Sequence, residues 1–460
     1  MTLIATVLAL GIIVGLFYLV RDGGGHSGWA LWIPTLWIWI VFSRSVTSWL
    51  HLDRHVTLQT QYTEGSPVDA TFYGLLILAA AVVLNLRGRQ FRNFLQLNFA
   101  LLLYFFYCAV SIAWSDEPGI ALKRWIKAAG EMVVILVVLT DPSPARALKR
   151  LLTRLSFVLI PLSALFIYAI PSLGTAYDPG DQKTFYFGVC TWKNQLGLLC
   201  MIAGLSSLWQ LIGAWSNRGT KHCTGCLCAH GAIIVLSAFL TIKADAMTAF
   251  SCFGLASAVM VLSAQRWATR RPGAIFLLVS GAVGLAFFAV FLDSAGSLVQ
   301  SIGRNATLTG RTQIWAAVLA QHTNPLLGTG YESFWMGNRM QSVWDMSQLG
   351  IEEAHNGYLE FYINLGLIGV ALLGILIVSG YRHVVDTFRQ DARTGQLRVA
   401  LFTGALIYNL TEAGFRMMTP MWIGFLLAIT AAPSAEDAAS TAEVNMGWRP
   451  RARKPVRILQ

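Results

Sequence analysis

The chain of 460 residues is 55% apolar and only 12% charged, with a formal net charge of +11. A soluble domain carries about twice that charged fraction, which excludes a cytosolic globular enzyme. The basic excess does not point to nucleic acid either, because the cations fall in clusters between long apolar runs.

In chain order the apolar runs lie at 2–20, 28–43, 68–86, 96–114, 125–140, 156–173, 195–215, 231–243, 247–265, 273–293, 358–380, 399–413 and 419–432. A bilayer core about 30 Å thick needs roughly 20 such residues per helix; the last run is short for that. The runs are continuous rather than alternating, which excludes barrel strands. The first lacks a basic leading segment and continues to Arg21, so it reads as a span and not a cleavable signal. The expected fold is all-α: a polytopic transmembrane helical bundle of about twelve or thirteen spans. Residues 1–433 form the membrane domain, with one large extracytoplasmic loop at 294–357. A basic tail at 434–460 is expected to be disordered.

Basic clusters separate alternate runs: Arg87, Arg89 and Arg92; Arg146, Lys149, Arg150 and Arg154; Arg266, Arg270 and Arg271; Arg382, Arg389, Arg393 and Arg398. A last cluster, Arg449, Arg451, Arg453, Lys454 and Arg457, lies on the tail. Lys and Arg accumulate on cytoplasmic loops, so these segments are assigned to the cytoplasm. The same side holds His222, Cys223, Cys226, Cys228 and His230, a spacing that can bind zinc. The segment has no second half-site, and the remaining cysteines are scattered, so no disulfide framework is expected.

The outer segments are then 44–67, 115–124, 174–194, 243–247, 294–357 and 412–418. Cations in or near them (Lys123, Arg124, Lys127, Lys183, Lys193, Lys243, Arg304, Arg311, Arg339 and Arg416) run against the topology rule and call for an anionic ligand on that side. Lys123, Arg124 and Lys127 beside Trp125 fit an interfacial anchor or an anion contact equally. Lys193-Asn194 and Lys243 stand at span ends, where an ionisable group is either snorkelling or functional. The long loop is aromatic-rich, so short helices on the outer mouth are expected rather than disorder. It repeats Gly303-Arg304 as Gly310-Arg311, and guanidinium is the planar, permanently charged donor that grips phosphate. The alternative for that pair is solvated or headgroup-anchoring arginines. Pro325-Leu326-Leu327-Gly328-Thr329-Gly330-Tyr331 reads as a turn holding backbone close. His355 and Asn356 stand at the entrance of the span from Tyr358; Asn356 suits a helix cap, and a neutral imidazole there suits a general base.

Together these residues resemble the O-antigen ligase-related family, which includes O-antigen ligases and O-antigen or exopolysaccharide polymerases. His355-Asn356 with Gly366-Leu367-Ile368-Gly369, the Thr309-to-Trp315 segment, the Pro325–Tyr331 turn and Lys193-Asn194 with Leu196-Gly197 carry the resemblance. Trp192 stands where the pattern usually has His, and a further Lys-containing element survives only as Lys243 and Thr248. The resemblance implies a GT-C-like membrane glycosyltransferase in the bacterial inner membrane, its active site facing the periplasm. It implies a donor glycan on undecaprenyl diphosphate, an acceptor glycan or glycolipid, and chemistry needing no metal or cofactor. His355, Arg311 and Arg304 would be catalytic; Lys193, Asn194, Arg124, Lys243, Asn356 and Tyr331 would bind substrate. Membrane lipids, a chain-length regulator and export machinery are the further implied partners. The Lys193-Asn194 segment favours exopolysaccharide polymerase over lipopolysaccharide ligase. The alternative from another class is a transporter or flippase of a lipid-linked anionic substrate.

Overall fold

A computed structural model describes residues 2–20, 28–52, 65–178, 182–216, 223–271, 273–291, 311–347 and 350–431. Arg304 and the tail, both read from the sequence above, lie outside the described residues. Helices stand at the expected places: α1 (Thr2–Leu19), α2 (Trp32–Val41), α3 (Pro67–Leu86), α4 (Phe99–Ser111), α5 (Pro118–Leu139) and α6 (Pro144–Tyr168) in the first part of the chain. Then follow α7 (Lys193–Ser216), α8 (Cys223–Lys243), α9 (Met247–Ser263) and α10 (Ala274–Phe291). The large loop contributes α11 (Arg311–Leu319) and α12 (Gly337–Ser347), and the bundle closes with α13 (Gly357–Gln390), α14 (Ala392–Tyr408) and α15 (Pro420–Ile429). The protein is an all-α polytopic membrane protein.

Among the described residues, 7 helices are long and apolar enough to cross a membrane. The others fall short for physical reasons. α5 carries Lys123, Arg124, Lys127 and Glu131, and α15 has only 10 residues. At 1.5 Å per residue α15 is about 15 Å long, half the bilayer core. Its C-terminal end is tied to α14, where Arg398 Nη1 donates to the Thr430 carbonyl at 3.0 Å. Residues 409–419 join α14 to this short helix. Burial separates centre from rim. The most apolar window of α7 is 83% buried, against 11% for α1 and 17% for α10, whose exposed Leu and Phe side chains suit lipid.

Boundaries moved where charge misled the sequence reading. α6 begins at Pro144, inside the basic segment, because Lys and Arg stems can lie along a helix while their charged ends stay in water. The Cys/His stretch is not a loop over its described part, His222 lying outside the described residues: α8 starts at Cys223, leaving Cys228 exposed and His230 fully buried against Phe157. Those two side chains face apart, so they do not converge on an ion. The outer segment 174–194 holds a two-stranded antiparallel hairpin that the sequence did not suggest, β1 (Thr175–Asp178) with β2 (Lys183–Tyr186).

The large loop folds as expected into short helices and has its own small core. Ile314 and Val318 of α11, Met340 and Val343 of α12, and Phe334, Trp335 and Ala354 bury one another. Its turn is built into α13. Gly366 has φ +63°, which breaks that helix and leaves backbone groups unpaired. The turn supplies the missing partners: Thr329 N–H donates to the Ile363 carbonyl, Gly330 N–H to Asn364, and Leu367 and Ile368 N–H to Pro325 and Leu326. Asn324 closes the turn by accepting from Leu326 and Leu327 N–H. A Cβ on Gly366 would collide with the Leu326 carbonyl, and one on Gly328 with Asn364. The two glycine motifs are thus halves of one backbone joint beneath His355.

Candidate active site

His355 sits between the loop and α13 at φ +48°, a left-handed conformation that its neighbours hold in place. On one side, Ala354 N–H donates to Glu360 at 2.6 Å and the Ala354 carbonyl accepts from Trp315 at 2.8 Å. On the other, the Asn356 side chain caps α13 by accepting from Tyr358 and Leu359 N–H, both at 3.0 Å. Its amide donates to the Leu410 carbonyl, and Gly357 N–H donates to Asn409. The segment 409–419 is thereby fastened to the residues flanking His355.

That segment carries Glu412, which gathers the site. Its carboxylate lies 2.6 Å from Arg311 Nη2, 3.1 Å from His355 Nδ1 and 3.3 Å from Asn194 Nδ2. Glu353 meets the same His355 Nδ1 at 3.0 Å. Nε2 is left without a hydrogen-bond partner among the described residues. Burial alone would lower the affinity of this imidazole for a proton. The hydrogen bonds and charges of Glu353 and Glu412 outweigh it and push the pKa up to about 10. The neutral ring expected from the sequence is therefore the minor form at neutral pH. Glu353 is affected oppositely: burial disfavours its charge, but His355, Arg416 and Arg311 hold its carboxyl below the usual range.

Arg416 extends the cluster. It pairs with Glu332 at 3.3 Å, donates to the Glu352 carbonyl and lies 3.8 Å from Glu353. Glu353, His355 and Glu412 place ligand atoms within 4.8 Å of one another, a set that could meet a metal ion. Arg311 and Arg416 already bring positive charge to those carboxylates.

The structure brings His355, Arg311 and Asn194 together and seats Asn356 as their backbone support. Lys193, beside Asn194, lies over the Phe185 ring at 5.2 Å, and Lys243 over the adjacent Tyr186 at 4.5 Å. Both lysines thus face the hairpin, next to the cluster rather than inside it. Arg124 is buried and donates to the Glu332 carbonyl, holding the loop to α5. Tyr331 is buried too, its N–H on the Ser111 hydroxyl. It lines a small cavity behind the site with Tyr104, Glu332, Glu360 and Arg416. Sequence reasoning missed Glu412, Glu353, Glu332 and Glu360. The available signal was an acid beside a span end, an ionisable group where burial is costly.

Comparison with known proteins now bears on this geometry. Residues 230–374 match the family model described as O-antigen ligase, a stretch that holds Lys243, Arg311, the turn, His355 and Gly366. The exopolysaccharide production protein ExoQ of Rhizobium meliloti (strain 1021) is 25% identical over 351 residues, covering 73% of this chain and 77% of the relative. Over this stretch and along most of its length the chain is similar to the O-antigen ligase-related family. The similarity supports a multi-pass membrane protein with a ligase- or polymerase-type function in polysaccharide synthesis. Glu412 lies beyond the matched segment and is joined to it only through the fold.

Proposed function

We propose that the protein transfers a glycan from an undecaprenyl-diphosphate-linked oligosaccharide to a sugar hydroxyl on the extracytoplasmic face of the inner membrane, without a metal ion, and so polymerises exopolysaccharide. The observation that carries this reading is an imidazole with one nitrogen fixed by two carboxylates and the other without a partner among the described residues, beside a guanidinium. The acceptor oxygen attacks the anomeric carbon. The bond from that carbon to the diphosphate oxygen breaks, and undecaprenyl diphosphate leaves with the electron pair. The acceptor proton passes to His355 Nε2 in its neutral form, while Glu353 and Glu412 stabilise the imidazolium produced, as a carboxylate does for a catalytic histidine elsewhere. Arg311 meets the charge growing on the leaving diphosphate, the electrostatic contribution that is usually largest. Lys193, Lys243 and, outside the described residues, Arg304 supply further positive charge. The printed name of ExoQ supports a polymer product over lipopolysaccharide ligation.

The test is donor consumption in proteoliposomes carrying purified undecaprenyl-diphosphate oligosaccharide. Wild type is expected to release undecaprenyl diphosphate and lengthen the glycan. His355→Ala should lose at least about 100-fold, the low end for general-base catalysis. Passage of intact donor across the bilayer with the linkage unbroken would replace this reading with transport.

A further inference from the structure

We propose that Glu412 is a place-holder for the donor diphosphate: it occupies Arg311 in the free site and, once the diphosphate draws Arg311 away, serves His355. The proposal rests on the glycosyl-transfer reading above and assigns it an order of events. Glu412 is a positioning residue, acting through the two groups that touch substrate.

The geometry is that of a carboxylate divided between two clients. Oε1 takes Arg311; Oε2 takes His355 Nδ1 and Asn194 Nδ2. The partners come from three separate places: α11, the segment before α13, and the first turn of α7. The Glu412 side chain is 6% exposed and that of Arg311 23%. The carboxylate is enclosed, whereas the arginine side chain is partly exposed. A diphosphate arriving there offers the guanidinium more oxygens and more charge than a shared carboxylate, and Arg–phosphate contacts are commonly bidentate. Arg311 is the first residue of α11, so its side chain can turn toward the diphosphate without unfolding the helix.

The surroundings decide what Glu412 does next. Glu353 faces the same Nδ1 and repels Glu412. Arg416 is engaged by Glu332 and leans toward Glu353. Cys252 of α9 and Tyr408 of α14, the other titratable groups that feel the Glu412 charge, are buried. Among the described residues, that leaves His355 and Asn194 as the donors for a Glu412 relieved of Arg311. Its hold on His355 tightens when the donor is seated and relaxes when it is absent. The imidazole is then held hardest only when there is a glycan to transfer.

Place-holding has an unusual signature, because removing the charge should help one step and harm another. In Glu412→Gln, Arg311 loses its competitor, so undecaprenyl diphosphate alone should bind several-fold tighter than to wild type. Transfer should nonetheless slow at least about 10-fold in kcat, because His355 loses a partner. In the Arg311→Gln background, Glu412→Gln should leave undecaprenyl diphosphate affinity unchanged. Glu412→Asp should restore kcat in part and return affinity toward wild type, which separates these effects from misfolding. If Glu412→Gln weakens undecaprenyl diphosphate binding, Glu412 is a scaffold for Arg311 and the proposal is wrong. Unchanged kcat would equally overturn it, by cutting the link to His355. Wild type that transfers no glycan would defeat the underlying reading instead, a result distinct from either.

Discussion

His355 is pulled toward the charged form by two carboxylates on one nitrogen, and this sets the direction of its pH dependence. Its pKa lies at about 10, above the ordinary 6.5. A base in that position gains its neutral form as pH rises, so log kcat/KM should climb through the neutral range and level off near pH 10. In Glu353→Gln one of the stabilising charges is gone. The limb should move to lower pH and level off at a smaller value. Profiles of the two proteins between pH 6 and about 9.5 check this; a wild-type profile flat through that range would remove His355 as the titrating base. The stability linkage carries the same sign. A raised histidine pKa means the ionic contacts contribute fully below about 6.5 and are lost as pH climbs through about 10. His355 and Asn194 were legible because each is a polar group at the end of an apolar run, and Arg311 because Gly303-Arg304 recurs as Gly310-Arg311. Glu412 was not, since it meets its partners 57 and 101 positions away, and no local pattern marks such a meeting.

At the level of elements, the joint between the turn and α13 is the part most exposed to a single change. Gly366 must hold a positive φ and leave room for the Leu326 carbonyl. A residue with a Cβ pays about 1–2 kcal/mol for the left-handed conformation alone, and the collision adds to it. Gly366→Ala should therefore shift the turn, and with it Tyr331 to Trp335 and the Glu332–Arg416 pair. The expected result is a lower thermal midpoint in detergent and at least about 10-fold lower transfer, while membrane insertion is kept because the spans are untouched. Gly374→Ala, in the same helix with open space around it, is the control and should behave as wild type. Both glycine motifs were visible in the sequence as a turn and as a spaced pair. That one completes the backbone hydrogen bonds of the other was not, because such a joint depends on tertiary approach. The β1–β2 hairpin escaped notice for a related reason: two strands of 4 residues carry too little alternation to stand out.

For the molecule as a whole, hydropathy and the sign of loop charge said most of what the fold shows, because a bilayer forces each backbone span to satisfy itself as a helix. The rest, which outer segments converge, is set by packing among those helices. The convergence has a consequence for sidedness. Among the described residues, 188–194, 243–247, 311–347, 350–356 and 409–419 meet at one end of the bundle, and the basic clusters at the starts of α6 and α14 lie at the other. If the positive-inside rule sets orientation, the whole cluster around His355 faces away from the cytoplasm, the side on which the proposed glycan transfer would take place. A cysteine-free background with single replacements tests this directly. Lys183→Cys, on the exposed hairpin beside the site, should react with a membrane-impermeant maleimide in spheroplasts. Ala145→Cys, exposed at the start of α6, should react only after the membrane is opened. The reverse pattern would place His355 on the cytoplasmic side, where the proposed acceptor and the growing polymer could not meet it.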